Sequence, residues 1–193
     1  MQFEAFATNV EVNGETVWSI VDGMGAFRQT ALNILAEHGI VDPRPGQWYS
    51  QQSWLEAFRT ISDRVGGNTL YAIGRKIPEN AQFPPQITDI RAALRSIDVA
   101  YHMNHRRGGE VLFDPATGRM LEGIGHYRYE EADERRLRVI GVNPYPCEFD
   151  RGIVTAVAGR FRPAGVPFLD VVHRDDQPCR RRKGESCTYE VAW

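Results

Sequence analysis

Three cysteines carry the densest chemistry in this chain, and two of them bracket a run of positive charge. Cys179 and Cys187 flank Arg180, Arg181, Arg182 and Lys183, and the third, Cys147, follows the segment Asn-Pro-Tyr-Pro. Cys147 opens a stretch of helical periodicity, where the positive end of a helix dipole favours thiolate. Asp175 and Asp176 precede Cys179, and His173 precedes them. Thiolate, imidazole and carboxylate all bind a tetrahedral divalent ion such as zinc. Three cysteines plus one further donor close such a site with no position left for substrate. On these residues Asp176 is the leading fourth donor, with Asp175 and His173 as rivals. The basic run would then offset the negative charge of the thiolates. Plain burial of three small thiols accounts for the spacing as well, because C-x7-C is not a known knuckle. A redox pair fits less well, since Cys-x-x-Cys geometry is much tighter.

The second group is histidine and tyrosine. At about 100° per residue, Ile90, Leu94, Ile97, Tyr101 and His105 fall on one stripe of a helix, with His102 at its edge. On a strand-like segment further on, His126 and Tyr127 face opposite sides, and Gly123 and Gly125 leave room beside them. A histidine on an apolar face is more often a satisfied core residue than a ligand. Tyr101, His102, His105 and His126 are nevertheless the best candidates for polar contacts inside a pocket with aromatic walls.

The elements that must position these residues follow from length and pattern. At 193 residues the chain suits one domain, spanning 1–193, large enough for a core without staples. No apolar run is long enough to span a bilayer and no secretion signal is visible, so a cytoplasmic location, with reduced thiols, is expected. A net charge of -2 argues against a protein that coats nucleic acid. The opening "EVNGETVWSIV" reads as extended with a turn at Asn-Gly. Helices are expected over "GMGAFRQTALNILAEHG", over "SQQSWLEAFRTISDRVGG" with Ser50 as cap, and from residue 88 to 106 with Thr88 as cap. The intervening "NTLYAIGRKIPENAQFPPQ" reads as an irregular connector. Strands then take over, with a turn at "DPATG". "CEFDRGIVTAVAGRF" returns to helix, and "GVPFLDVVH" and "SCTYEVAW" close the chain as strands. The fold class is α+β: N-terminal helices followed by a mostly antiparallel sheet carrying a C-terminal helix.

The tail C-x7-C-x-Y-x-V-x-W, the segment G-x-N-P-Y-P-C with its following helix, and the helix-then-strand order resemble the 4-vinyl-reductase-type small-molecule-binding domain of phenol-responsive bacterial activators. That resemblance covers roughly residues 15 to 193, with its specific part in the last fifty. It implies a fold shared with haem nitric-oxide sensors and vesicle-tethering subunits. It also implies a structural zinc ion held by Cys147, Asp176, Cys179 and Cys187. In the phenol sensors a helix histidine and a strand tryptophan bind the phenol hydroxyl. His102 or His105 matches the first, while His126 stands near the tryptophan's place, so phenol itself is not implied.

The function expected from these readings is a zinc-containing sensor or regulatory domain with a small hydrophobic or aromatic ligand in an internal cavity. Its output would pass through a homodimer or a regulatory protein partner. An enzyme of small-molecule or tetrapyrrole metabolism is the alternative, although no nucleotide fingerprint, nucleophile signature or open metal site is visible. An assembly subunit is a third. A haem-binding gas sensor, with His102 or His105 as axial ligand, is a further alternative; haem is the less favoured cargo, because "YRYEEADERR" lacks the Tyr-x-Ser-x-Arg motif of the haem sensors.

Overall fold

The computed structural model describes residues 2–193. A short strand, β1 (Val10–Asn13), turns directly into helix α1 (Gly14–Gly23). The Asn-Gly pair therefore makes no hairpin. Asn13 Oδ1 accepts the Thr16 amide at 2.9 Å, which is the bond of a helix N-cap. Gly14 is required there, because an added Cβ would stand 1.9 Å from the Arg44 carbonyl oxygen. Helix α2 (Arg28–Glu37) and strand β2 (Trp48–Ser50) follow. Helix α3 (Gln51–Arg64) starts as expected at Ser50, whose Oγ accepts the Ser53 amide.

The segment expected as an irregular connector is instead a full helix, α4 (Gly67–Asn80). Its buried residues Leu70, Ile73, Gly74 and Pro78 lie on one face. That face packs against helix α6 (Cys147–Arg160) so closely that two glycines are needed. A Cβ on Gly74 would meet the Phe149 carbonyl oxygen at 2.0 Å, and one on Gly152 would meet that of Tyr71 at 2.2 Å. Helix α5 (Ile90–Met103) is capped by Asp89 rather than Thr88, with Asp89 Oδ1 accepting the Arg91 and Ala92 amides at 2.8 and 2.9 Å.

His105 lies beyond α5, at the start of strand β3 (His105–Arg107). With β4 (Glu110–Val111) this completes a small antiparallel sheet in the order β2-β1-β3-β4. The Asp-Pro-Ala-Thr-Gly turn joins the two-stranded pair β5 (Phe113–Asp114) and β6 (Arg119–Met120). The main sheet is antiparallel, in the order β7 (His126–Asp133), β8 (Arg136–Val142), β10 (Cys187–Ala192), β9 (Asp170–His173). Helix α5 packs on β7, and α6 packs on β9 and β10. The α+β class and the helix-then-sheet order are as the sequence implies. Among the described residues no helix is long and apolar enough to cross a membrane.

Candidate metal centre and ligand cavity

Three elements deliver the sulfurs to one point. Cys147 is the first residue of α6, Cys187 the first of β10, and Cys179 immediately precedes a 3-10 turn over Arg180–Arg182. All three thiols are free and buried, with Sγ separations of 3.2 Å (147–187), 3.6 Å (147–179) and 3.9 Å (179–187). A tetrahedron with metal–sulfur bonds of about 2.3 Å has edges of about 3.8 Å, so the sulfurs outline one face of such a site.

His173, the last residue of β9, is the nitrogen donor that stands with these sulfurs. One of its ring nitrogens lies within 4.8 Å of each sulfur. Its Nδ1 is 3.2 Å from Asp175 Oδ1, while Nε2 is buried without a hydrogen-bond partner. A carboxylate on one imidazole nitrogen with the other left free is the usual support of a metal-bound histidine. The neighbouring Cys147 thiol drives Cys187 well below the ordinary thiol range, against burial, and His173 and Arg180 add to the effect. The donor set therefore fits a zinc-type ion as three sulfurs and one nitrogen. Asp176, expected as the fourth donor, is elsewhere: both its oxygens grip Arg174, at 2.9 and 2.8 Å, on the exposed side of the loop. Asp175 serves behind His173 and is not itself in the cluster.

The basic run is not a uniform solvated loop. Arg181 pairs with Glu148 at the surface, and Arg182 donates to the backbone carbonyls of Asp175 and Gln177. Arg180 is buried, with Nε 3.4 Å from Cys187 Sγ and Nη2 2.5 Å from Asp150 Oδ2. Its Nη1 donates to the Asn143 carbonyl, and Tyr127 Oη donates to Asp150 Oδ1 at 2.6 Å. This chain of contacts runs from the sulfurs to Tyr127, which lines a cavity that opens to the surface beside Glu15 and Asn80.

That cavity, of about 180 Å³, lies where α1, α4, α5 and α6 converge, with Tyr101, His105, Tyr145, Phe149 and Trp54 among its walls. His105 Nδ1 is 2.7 Å from the Tyr101 carbonyl oxygen, so this nitrogen carries the proton. Nε2 is then an acceptor. The Tyr145 hydroxyl donates to it at 2.5 Å while accepting from Gln51 Nε2 at 3.0 Å. Two further wall residues hold polar atoms with no partner in the protein, Ser19 Oγ and Trp54 Nε1. Buried polar groups of this kind are normally satisfied, and their position on a cavity marks where a bound molecule would supply the missing bonds.

Burial lowers the His105 pKa from 6.5 to about 4, opposed by its bond to Tyr101 and helped by nearby His102. The unfolded chain then binds a proton that the folded chain refuses. The stability this confers is complete above pH 6.5 and is lost as pH falls toward 4. Between pH 7 and pH 5 the metal-free, cargo-free protein should lose about 2 kcal/mol through this group. Urea unfolding at the two pH values measures it, and His105→Gln should lack that increment.

The four residues expected to share a pocket divide into two places. Tyr101 and His105 line the cavity. His102 and His126 do not; their rings stand 5.0 Å apart beside Asp98, on the α5 face that meets β7. Tyr145, Trp54 and Ser19 are not singled out by sequence pattern, although Tyr145 stands inside the Asn-Pro-Tyr-Pro-Cys segment.

No protein-family model matches this sequence, and no curated protein matches it. Solved structures do. An H-NOX protein from S. oneidensis in the Fe(II)NO ligation state is 11% identical, with a TM-score of 0.60 over 92% of this chain and 97% of that one. A single-site mutant of the T. tengcongensis H-NOX is 11% identical, with a TM-score of 0.62 over 93% of this chain and 96% of that one. A third, from work on modulating haem redox potential through protein-induced porphyrin distortion, is 10% identical, with a TM-score of 0.60 over 94% and 99%. This chain therefore has the fold of the haem nitric-oxide sensors. The expectation that haem is the less favoured cargo is corrected by these matches: proteins described by their haem share the fold along nearly the whole chain, so one absent motif does not set haem aside.

Proposed function

We propose that this chain is a small-molecule sensor domain whose cargo binds against His105 and whose C-terminal half is clamped by zinc on Cys147, Cys179, Cys187 and His173. The observation that carries the reading is His105: a neutral imidazole on a cavity wall, tied through Nδ1 to a backbone carbonyl, with Nε2 facing a hydroxyl that a cargo can displace. Haem is the first cargo. The H-NOX neighbours support it, and a histidine whose Nδ1–H is fixed to a carbonyl would offer the lone pair of Nε2 to iron once the Tyr145 hydroxyl is displaced from it. Bound there, haem would supply an iron position for a diatomic gas. This chain's own residues would hold the histidine, exclude water with Trp54 and Phe149, and report through Tyr127 to the Asp150–Arg180 pair.

A second reading, closer to the 4-vinyl-reductase-type resemblance, is a small apolar molecule bearing a hydroxyl. It is favoured by the cavity volume, about 180 Å³, which is below the roughly 300–1,000 Å³ of typical ligand pockets. The Tyr145 hydroxyl on His105 already has the bonding such a ligand would bring. Titration of the purified protein with haemin decides between the two. Expected is a Soret band of a histidine-ligated haem that is lost in His105→Ala and restored by free imidazole. If haemin binds His105→Ala as it binds the native protein, or binds neither, haem is overturned as the cargo. Thermal shift with simple phenols then tests the second reading, where a ligand at a hundredfold its Kd stabilises by about 2.7 kcal/mol.

A further inference from the structure

On the α5 face opposite the cavity, three donors of a different kind converge. One ring nitrogen each from His102 and His126 and one carboxylate oxygen of Asp98 all lie within 4.8 Å of one another. Asp98 and His102 are one turn apart on α5, and His126 is the first residue of β7, so helix and sheet each contribute. The individual bonds are those of a prepared site. His102 Nδ1 is 2.8 Å from the Asp98 backbone carbonyl oxygen, which places the proton on Nδ1 and the lone pair on Nε2. His102 is fully buried, and that Nε2 has no hydrogen-bond partner. Asp98 is held from behind, since its Oδ1 accepts the Tyr127 amide at 2.8 Å. His126 stands between two carboxylates, with Nδ1 3.0 Å from Asp98 Oδ2 and Nε2 2.9 Å from Glu122 Oε2. Two carboxylates around one imidazole form a centre of negative charge that requires a cation, either a proton on His126 or a metal ion.

We propose that Asp98, His102 and His126 form a second metal site, for a divalent zinc-class ion, with Glu122 as an outer carboxylate at its solvent side. The donors are nitrogen and oxygen without sulfur, a set that suits Zn²⁺ or Co²⁺ and leaves a coordination position open. Glu122 is mostly exposed, so the ion has a path from solvent. The site shares no donor with the thiol cluster and no wall residue with the cavity. It stands or falls independently of the cargo.

Cobalt separates the two metal sites, because thiolate–cobalt binding gives intense charge-transfer absorption and a nitrogen–oxygen site gives only weak visible bands. Equilibrium dialysis of the native protein against Co²⁺ should return about two ions per chain. His126→Gln and Asp98→Asn should each return about one, with the charge-transfer band unchanged as evidence of an intact fold. Should the thiol reading alone fail, the band will be missing from the native protein while His126→Gln still removes an ion. A native protein that loses no ion on either substitution overturns the second site and leaves His126 as a protonated histidine between two carboxylates.

Discussion

Replacing Cys187 by serine is expected to remove the metal and most of the domain's stability together. The three sulfurs come from α6, from the loop before the 3-10 turn and from β10, and the fourth donor comes from β9. An ion there ties the last helix to two neighbouring strands of the main sheet, a link the apolar contacts alone would have to replace. Structural zinc contributes on the order of 10 kcal/mol in zinc-finger peptides, comparable with the roughly 5–15 kcal/mol of a whole domain. Serine is a poor zinc donor, so the variant should behave like the chelated native protein. The test is metal content alongside urea unfolding with and without chelator. Native protein should shift to a much lower midpoint on chelation, and Cys187→Ser should already be there and not respond. If chelation leaves the native midpoint where it was, the cluster is three buried thiols. The substitution then costs only about 1–3 kcal/mol, for a buried hydroxyl without a full set of partners.

What the sequence reveals about this site depends on which interactions are local. Helices α3, α5 and α6 are visible because a stripe of apolar residues repeats at helical spacing; Ser50 also marks the start of α3, whereas the cap of α5 is Asp89, one residue beyond the expected Thr88. Helix α4 is hidden by its function. Gly74, facing Phe149, allows close packing against α6, and Pro78 lies in the last turn, and both are residues that read as breakers in a linear scan. Asn13-Gly14 is read as a turn because the same asparagine that would make one also caps a helix, and only the tertiary contact of Gly14 with Arg44 decides. The three cysteines are visible by type. The fourth donor is visible only as a choice among Asp176, Asp175 and His173, because the choice depends on sheet register. Tyr189 pairs with His173, which brings that imidazole two residues along β10 from Cys187, while Arg174 draws Asp176 away. The split between the His105 cavity and the His102–His126 cluster is half visible: the stripe sets His102 at its edge and strand alternation turns His126 away from Tyr127, but only the tertiary fold brings His102 and His126 together beside Asp98.

Arg180→Met should be the most damaging substitution outside the thiol–histidine cluster, although the sequence does not set the residue apart from the three charges that follow it. Both Arg180 and Asp150 have fully buried side chains, 2.5 Å apart. Removing the guanidinium strands a carboxylate in the interior with only the Tyr127 and Tyr189 hydroxyls and the Asn143 amide as donors. Breaking a buried pair from one side costs about 3–5 kcal/mol, because the remaining charge is left without compensation. A second effect follows from the 3.4 Å contact between Arg180 Nε and Cys187 Sγ: the positive charge that favours thiolate is lost, so metal affinity should fall with stability. Adding Asp150→Leu to Arg180→Met should recover part of the loss in the metal-loaded protein, since no unpaired charge is then left buried, although the Tyr127 hydroxyl and the Asn143 amide lose their acceptor. Asp150→Leu alone should be as harmful as Arg180→Met, because it leaves the arginine buried beside the sulfurs. Urea unfolding of the four proteins closes this cycle. Single variants within about 1 kcal/mol of the native protein would mean that water or a rotated side chain compensates the pair. The link from the sulfurs through Asp150 to Tyr127 and the cavity would then carry no energetic coupling.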